Sequence, residues 1–377
     1  MRGQRGAVAC ISLCLICRTI AAPPAMVAGT TGSSAGSEFA EALEPRSFEF
    51  PRDHGPHPAY RQEWWYFTGN LQAPAGERFG FELTFFRIGL LPRPPADGAE
   101  ASAWRTSEIY MAHFAITDVE RRSFRFQQLL SRAALGLAGA RSEPLRVWLD
   151  GWSVEMAPVG AGSTWKLHAA QPGYAIDLTL AARSAPVLNG EAGLSVKSGR
   201  AGDATYYYSV PRLDVQGQLL RDGRALQLHG LAWLDREWGS GALGTLEAGW
   251  DWFGLQLDDG SALMFYALRN EDGGRDTHSA GTWVAPDGSV RGLTNADVSI
   301  AVTGHWRNGS GERYPAGWRL RVPAMALDLS VRPVLPDQEL RTTPPYWEGA
   351  VDVSGNRGAR ALAGRGYVEL VGYAKER

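Results

Sequence analysis

Short segments in which apolar and polar residues alternate recur along most of the chain, and this pattern constrains the fold more than any other feature. Six such segments, each bounded by Gly, Pro, Asp or Asn, are residues 79–90, 109–119, 174–183, 225–235, 262–269 and 318–331. A period of two is typical of β-strands with one buried face, and many such strands indicate sandwiches or barrels. The 14 Trp and 45 Gly residues also favour strands and tight turns. The best short helix candidate is residues 126–136.

The sequence contains an internal repeat with an offset of 186 residues (250 − 64). Each copy has an aromatic strand, a hairpin turn and an apolar strand that ends in arginine, Arg87 or Arg269. The matched positions are Trp64 with Trp250, Tyr66 with Trp252, Phe67 with Phe253, and Leu71 with Leu257. Chance similarity between aromatic strands is the alternative to duplication. Duplication predicts an all-β chain of two tandem lipocalin-like antiparallel barrels, with an N-terminal domain over residues 45–241 and a C-terminal domain over residues 242–377.

A tryptophan near the start of a barrel's first strand, with an arginine lying flat across its indole, would close one end of a barrel of this type. Units of about 170 residues suit barrels of eight to ten strands, which are wide enough to enclose one small ligand. The sequence therefore predicts a small molecule as the partner.

The N-terminus has the features of a targeting segment. Arg2 and Arg5 precede an apolar run of about ten residues, and small residues that could precede a cleavage site follow it. We assign residues 1–28 to a signal peptide and residues 29–44 to a flexible linker; the alternative is a disordered tail. All three cysteines, at positions 10, 14 and 17, lie in the signal peptide. We therefore expect a periplasmic or secreted protein without disulfides.

Charge and composition exclude several classes of function. The net charge of −2 indicates no nucleic-acid partner. No later segment approaches the roughly 20 apolar residues of a membrane helix, so we expect no integral membrane segment after signal cleavage. The seven His are scattered and the mature chain has no Cys, so no metal site is expected. The sequence leaves the oligomeric state open.

Five longer segments carry a resemblance to a known family: residues 61–71, 110–118, 206–213, 233–239 and 249–260. In these segments the chain resembles the secreted AttH-like proteins and carotenoid 1,2-hydratases (hydroxyneurosporene synthases), in the same order and over nearly all of the mature chain. The resemblance implies two lipocalin-like domains, an apolar unsaturated ligand and no metal. Members of this family are often labelled predicted hydrolases. Dedicated carotenoid hydratases align a His with Leu234 of this chain, which weakens the carotenoid interpretation.

The segment WLDREWG, residues 233–239, holds the strongest catalytic candidates, because Asp235, Arg236 and Glu237 interrupt an aromatic strand. On a strand the two acids share one face, and Arg236 is expected to neutralise one of them, since a buried charge is unfavourable unless paired. A carboxyl group in apolar surroundings has a raised pKa and could protonate a C=C bond, after which water captures the carbocation. The expected ligand-binding residues are Trp64, Trp65, Tyr207, Trp233 and Arg236. The alternative is an ion-pair network at the domain junction.

A second acid–base group is predicted around His113, which lies in the middle of an apolar strand. Together with Glu63 and Asp118 it could move protons; the alternative is a core histidine with satisfied hydrogen bonds. Tyr207 has a similar alternative as part of a packed edge strand. The predicted catalytic residues are therefore Asp235, Glu237, His113 and Glu63.

These residues favour one function over two alternatives. The favoured function is acid–base hydration or isomerisation of an apolar, unsaturated small molecule, such as a carotenoid, an isoprenoid or a lipid-like compound, by a hydratase-like lyase without a cofactor. One alternative is a periplasmic carrier of lipid or pigment that performs no chemistry. The other is hydrolysis, which the family label suggests but for which the sequence offers no recognisable nucleophile.

Overall fold

The computed structural model describes residues 38–92, 106–156, 164–241 and 247–374, and antiparallel β-strands make up most of this part of the chain. Within these ranges the helical elements are two 3₁₀ turns, Arg52–His54 and Pro323–Met325. No helix in the described ranges is long and apolar enough to cross a membrane. The predicted signal peptide and the linker up to residue 37 lie outside the described residues.

The first sheet curls into a near-closed barrel. Eleven strands form the path β4-β3-β2-β1-β13-β12-β9-β8-β7-β6-β5, and β10 and β11 both pair with β12. Strands β3 and β4 at one end contact β5 and β6 at the other. The sheet exceeds the expected eight to ten strands because residues 138–156 form three five-residue strands and two short strands share β12. Its strands are β1 (Gln62–Gln72), β2 (Arg78–Gly89), β3 (Glu108–Asp118), β4 (Ser123–Arg132), β5 (Ala138–Ser142), β6 (Leu145–Leu149), β7 (Trp152–Met156), β8 (Thr164–Gln171), β9 (Tyr174–Ala182), β10 (Val187–Leu188), β11 (Leu194–Val196), β12 (Ala204–Arg221) and β13 (Arg224–Gly239).

The second sheet forms a half-barrel of ten strands, in the order β17-β16-β15-β14-β25-β24-β22-β21-β18, with β23 paired to β24. A small separate hairpin joins β19 to β20. Both sheets belong to a single compact unit. The strands are β14 (Glu247–Leu257), β15 (Ala262–Asn270), β16 (Ala280–Val284), β17 (Val290–Thr294), β18 (Ser299–Val302), β19 (His305–Arg307), β20 (Arg313–Pro315), β21 (Trp318–Val322), β22 (Leu327–Pro333), β23 (Glu339–Leu340), β24 (Tyr346–Arg357) and β25 (Arg360–Val371).

The two copies of the sequence repeat occupy the same place in the two sheets. Strand β1 lies between β2 and β13, the last strand of the first sheet, and β14 lies between β15 and β25, the last strand of the second. Trp64 and Trp250 therefore lie on the first strand of their respective sheets. The strand-terminal arginines also have equivalent registers, Arg87 opposite Glu63 and Arg269 opposite Gly249. The predicted fold class, two tandem lipocalin-like antiparallel sheets, is confirmed.

Alternation along the strands gives the first sheet two buried faces. Trp65 and Phe67 of β1 point into the barrel core, which is filled with side chains, whereas Tyr66 points toward the second sheet. The sequence predicted a ligand enclosed by a barrel, but side chains fill the core of this barrel. We call the layer between the facing surfaces of the two sheets the seam. Its buried aromatic residues are Tyr66, Tyr207, Trp233, Trp252, Tyr266, Tyr346 and Tyr367.

Two expectations about local structure need revision. The helix candidate at residues 126–136 lies mostly in β4, because a ten-residue register with β3 satisfies its backbone and apolar residues spaced this way also fit a half-exposed strand. The described end of the predicted linker, residues 38–44, lies against the first barrel. Ala42 is buried in the barrel core, and the Tyr206 hydroxyl donates a hydrogen bond to the Glu44 carbonyl at 2.9 Å.

Candidate functional site

Two rows of mostly polar side chains face the seam. Residues paired across neighbouring strands lie on the same face of a sheet, so strand register alone aligns them. On the first sheet the row runs through Ser209, Asp235, Tyr66, Thr84, His113 and Gln128, from β12 to β4. On the second sheet it runs through Glu348, Glu369, Trp252 and Tyr266, from β24 to β15. These rows define the candidate site.

Asp235 is 4% exposed and is hydrogen-bonded by neutral groups. The Tyr207 hydroxyl donates to Oδ2 at 2.6 Å, and the Ser209 hydroxyl and Trp233 indole donate to Oδ1 at 2.5 and 2.7 Å. Burial raises the pKa of Asp235 to about 7, which outweighs the lowering effect of these three hydrogen bonds. A large fraction of Asp235 is therefore protonated at neutral pH, which is the state that a general acid needs.

Glu237 shares the seam face with Asp235 but has a cationic partner. The Lys197 ammonium lies 3.1 Å from its carboxylate, and the Thr205 hydroxyl donates to the same group. Lys197 also lies 4.0 Å above the ring centre of Tyr266. The two acids predicted as catalytic therefore differ in kind, because Glu237 belongs to an ion pair at the edge of the seam.

His113 lies on the seam in a second hydrogen-bonded group. Its Nδ1 is 2.7 Å from the Tyr346 hydroxyl and its Nε2 is 2.9 Å from the Gln128 amide nitrogen. Burial lowers the pKa of His113 to about 3, so the ring is neutral at neutral pH. The Tyr346 hydroxyl donates to Glu82 at 3.1 Å, and burial raises the pKa of Glu82 to about 7 despite the hydrogen bonds from Thr84 and Tyr346.

The second sheet contributes two acids that were not predicted from the sequence. Glu348 and Glu369 are cross-strand neighbours; the Tyr66 hydroxyl donates to Glu348 at 2.8 Å and the Trp250 indole donates to Glu369. Burial raises the pKa of Glu369 to about 8 and that of Glu348 well above its ordinary value. Both acids, and Glu82, interrupt apolar strands as Asp235 does, so the same signal could have found them.

One end of the seam is less enclosed than its centre. Large side chains that point to the seam are only half-buried there, and we call them the seam mouth: Trp64, Phe86 and Met111 on the first sheet, and Trp250 and Glu369 on the second. Partly exposed aromatic and thioether surface next to acidic groups is suited to an apolar ligand.

Three residues predicted for the site, Glu63, Trp65 and Arg236, lie instead inside the first barrel. The Arg236 guanidinium is 4.0 Å above the Trp65 ring and 3.0 Å from the Glu63 carboxylate, which Arg87 also contacts at 2.5 Å. Burial alone would raise the pKa of Glu63, but the hydrogen bond from His57 and the charges of Arg236 and Arg87 hold it well below its usual range. The expected stacking of an arginine on a tryptophan is present between Arg236 and Trp65, and it is part of a charged group inside the barrel.

The predicted pairing of Arg236 with Asp235 or Glu237 is wrong. Alternation along β13 directs Arg236 into the barrel, where Glu63 is its partner, and the two acids to the seam. The predicted group therefore splits into two. Asp235, Glu237, His113, Trp64, Tyr207 and Trp233 lie on the seam face, and Glu63, Trp65 and Arg236 lie on the barrel face.

A separate depression of about 400 Å³ lies on the second sheet, lined by Thr303, Gly304, Ala316, Gly317, Arg332, Pro333 and Pro336. These residues belong neither to the seam rows nor to the seam mouth, and they include no acid. Among the described residues, no group of three or more His, Cys, Asp and Glu side chains is arranged to hold a metal ion.

Comparison with known proteins places the chain in a family. Residues 41–373 match the AttH-like family. The chain belongs to that family. An AttH-type protein from Nitrosomonas europaea, whose crystal structure is known, is 32% identical in sequence to this AttH-like chain. The two structures superpose with a TM-score of 0.77 over 89% of this chain and 100% of the other. The family resemblance predicted from the sequence is thereby confirmed.

Two enzymes are more distantly similar to this AttH-like chain. Kievitone hydratase from Nectria haematococca shares its fold, with 16% identity and a TM-score of 0.66 over 90% of this chain and 97% of the hydratase. The dehydratase asqC from Emericella nidulans is 23% identical over 226 residues, which are 55% of this chain and 61% of the dehydratase. The match therefore spans less than two thirds of the dehydratase.

Proposed function

We propose that this AttH-like protein adds water to, or removes water from, an apolar, unsaturated small molecule in the seam, with Asp235 as proton donor and without a cofactor. One observation carries the proposal. Asp235 is buried beside aromatic rings, and its carboxyl group is hydrogen-bonded by the neutral side chains of Tyr207, Ser209 and Trp233. Burial keeps a proton available on this group near neutral pH.

The chemistry requires one proton and one water molecule. The Asp235 carboxyl proton bonds to one carbon of a C=C bond, whose π electrons form the new C–H bond and leave a cation on the other carbon. The faces of Tyr66, Trp233 and Trp252 can stabilise this cation. Water then forms the C–O bond and releases a proton, which restores the acid. Loss of a different proton from the cation would give an isomerised alkene.

The relatives support this class of reaction, since one is named a hydratase and another a dehydratase. The half-buried rings of Trp64 and Trp250 favour a carotenoid, isoprenoid or other lipid-like substrate over a polar one. We extend this class of reaction to this chain because of the family match and the geometry of the seam.

The experiment begins with native mass spectrometry of the protein from its host and extraction of any bound compound. That compound, together with a panel of isoprenoids and polyenes, is then incubated with the protein in water enriched in oxygen-18. We expect a product that carries one labelled oxygen. In Asp235→Asn, turnover should fall by about 10²- to 10⁴-fold while affinity changes little, because a general acid contributes that much and the apolar walls supply most of the binding.

Glu339→Gln is the control, since Glu339 is a buried acid of the second sheet whose partners, the Tyr314 hydroxyl, the Asn308 amide and the Arg341 guanidinium, lie away from the seam. It should keep wild-type turnover. A compound that binds and is recovered unchanged, without labelled oxygen, would contradict the proposal and favour a carrier. Cleavage of an ester or amide bond would favour a hydrolase.

We also propose that the protein is exported to the periplasm or beyond, on the basis of the charged and apolar N-terminal residues. Expression with a C-terminal tag in a Gram-negative host, followed by fractionation and N-terminal sequencing, tests this. We expect a shortened chain that begins near residue 29 outside the cytoplasm. A full-length chain confined to the cytoplasm would contradict export.

A further inference from the structure

The duplication places an acid at the same position in both sheets. Tyr66 and Trp252 are equivalent positions of the repeat, with the offset of 186 residues (252 − 66). Asp235 of β13 pairs with Tyr66, and Glu369 of β25 pairs with Trp252. Strands β13 and β25 are the last strands of their sheets, so Glu369 is the counterpart of Asp235 on the opposite wall of the seam.

The surroundings of the two acids are similar, but their exposure differs. Each accepts a hydrogen bond from an indole, Trp233 for Asp235 and Trp250 for Glu369. Asp235 is buried, whereas Glu369 is half-buried at the seam mouth, where water can reach it. The other titratable groups that act on Glu369 are Glu348, which is also hydrogen-bonded to it, Glu82, Glu237, Tyr66 and Tyr346.

We propose that Glu369 is a second catalytic residue of the same site. It exchanges a proton with the substrate oxygen, while Asp235 exchanges a proton with the substrate carbon. This proposal rests on the proposed function. In dehydration, the Glu369 carboxyl proton passes to the substrate hydroxyl, the C–O bond breaks, and water leaves through the seam mouth. The Asp235 carboxylate takes the proton from the adjacent carbon, and the C–H electrons form the C=C bond. Hydration follows the same steps in reverse.

The first test needs no substrate. Dicyclohexylcarbodiimide is an apolar reagent that adds to protonated carboxyl groups. The carboxyl proton moves to its nitrogen while the carboxylate oxygen bonds to its central carbon. The full-length protein is treated at neutral pH, and the modified peptides are mapped by mass spectrometry. We expect adducts on Glu369 and Asp235 and none on Glu339, which lies outside the seam and is ion-paired with Arg341.

The second test separates the two roles with a substrate in deuterated water. In Glu369→Gln, incorporation of water oxygen should fall by about 10²-fold or more, while Asp235 still exchanges deuterium into the alkene. In Asp235→Asn, both deuterium exchange and oxygen incorporation should be lost. Glu339→Gln should match the wild type in both measurements.

The outcomes distinguish this proposal from the proposed function. An adduct on Asp235 without one on Glu369, or wild-type oxygen incorporation in Glu369→Gln, would overturn the role of Glu369 and leave that of Asp235 intact. Adducts on neither acid would show that apolar molecules do not reach the seam acids, which would overturn both proposals. Adducts on both, with oxygen incorporation lost and deuterium exchange retained in Glu369→Gln, would support both.

Discussion

Two buried carboxyl groups of the first sheet differ in charge because their contacts differ. Glu63 lies between the guanidinium groups of Arg87 and Arg236, and its pKa is held below the usual range. Asp235 is hydrogen-bonded by hydroxyl and indole groups, and burial raises its pKa to about 7. The first group is charged and lies inside the barrel, and the second keeps its proton in a large fraction of molecules near neutral pH and faces the seam. Strand alternation separates the two by the thickness of one sheet.

Arg236→Ala should destabilise the protein far more than Asp235→Asn. Removal of Arg236 leaves Glu63 buried with one cation fewer and uncovers the face of Trp65, and breaking a buried pair costs about 3–5 kcal/mol. The Asn amide offers one donating and one accepting group, as a protonated carboxyl does, so the hydroxyls of Tyr207 and Ser209 can reorient to it. Urea unfolding of both variants measures the difference.

Arg183→Ala is the control, because it removes a largely exposed ion pair with Asp214. Its free energy of unfolding should change by less than about 1 kcal/mol. If Asp235→Asn unfolds at as low a urea concentration as Arg236→Ala, then Asp235 is a structural residue and is not the acid.

At the residue level, the sequence predicted part of the candidate site. Charged residues that interrupt apolar strands identified Asp235 and His113, both of which lie on the seam. The partner of Arg236 could not be predicted, because Glu63 is more than 170 residues away in the chain (236 − 63 = 173) and comes within reach only through the β1–β13 register, which pairs Arg236 with Trp65 and Glu63 with Trp238. Glu348 and Glu369 belong to the candidate site because they face the first sheet. Local sequence does not show which sheet surfaces pack against each other, so this placement could not be predicted.

At the level of elements, the middle of the first sheet depends on a close approach between β1 and β13. Gly230 of β13 pairs with Leu71, and a Cβ atom at Gly230 would lie 2.1 Å from the Asn70 carbonyl oxygen. Because that oxygen belongs to the backbone, the clash can be relieved only by moving a strand.

Gly230→Ala should therefore lower the free energy of unfolding by about 1–3 kcal/mol, as overpacking does elsewhere. Gly292→Ala in β17 is the matched control, because a Cβ atom there meets nothing within 4 Å. The control should be neutral or slightly stabilising, since alanine restricts the unfolded chain. Thermal unfolding of the two variants tests the expectation, and equal melting temperatures would contradict it.

The element pattern was largely predictable, because alternation and the repeat both report on local backbone geometry. The equivalent positions of β1 and β14 followed from the matched tryptophans. Residues 126–136 were not predicted correctly, since apolar residues spaced three and four apart fit a helix and a half-exposed edge strand equally well. Long-range pairing with β3 decides between them.

At the level of the whole molecule, the candidate site exists only where the two sheets meet. Tyr66 of the first sheet hydrogen-bonds Glu348 of the second, and Trp252 of the second hydrogen-bonds Tyr207 of the first. The sequence predicted two sheets, but its alternation could not distinguish a ligand site inside a barrel from one between barrels. The partly exposed side chains of the seam mouth, beside the buried acids, favour the seam.

The stability of the protein should fall as pH rises from about 6.5 to 8. Burial raises the pKa values of Asp235 and Glu82 to about 7 and that of Glu369 to about 8, so the folded state holds protons that the unfolded state has already released. Burial lowers the pKa values of His54 and His113 to about 3, so these groups make the folded state more stable as pH rises. Most of that gain is already present at pH 6.5. Urea unfolding at constant ionic strength measures this trend.

Asp235→Asn removes one of the titrating groups, so its stability should fall less than that of the wild type between the same two pH values. A wild-type stability that is constant or rises between pH 6.5 and 8 would contradict the protonated state inferred for the seam acids.

The most direct test of the seam as the functional site is a crystal structure of the protein with the apolar compound that copurifies with it. We expect the compound between Trp64 and Trp250, with a carbon of its C=C bond about 3–3.5 Å from the Asp235 carboxyl group, as a reactive geometry requires. A compound bound inside the first barrel beside Trp65, or on an outer surface with Asp235 out of reach, would contradict the seam as the site.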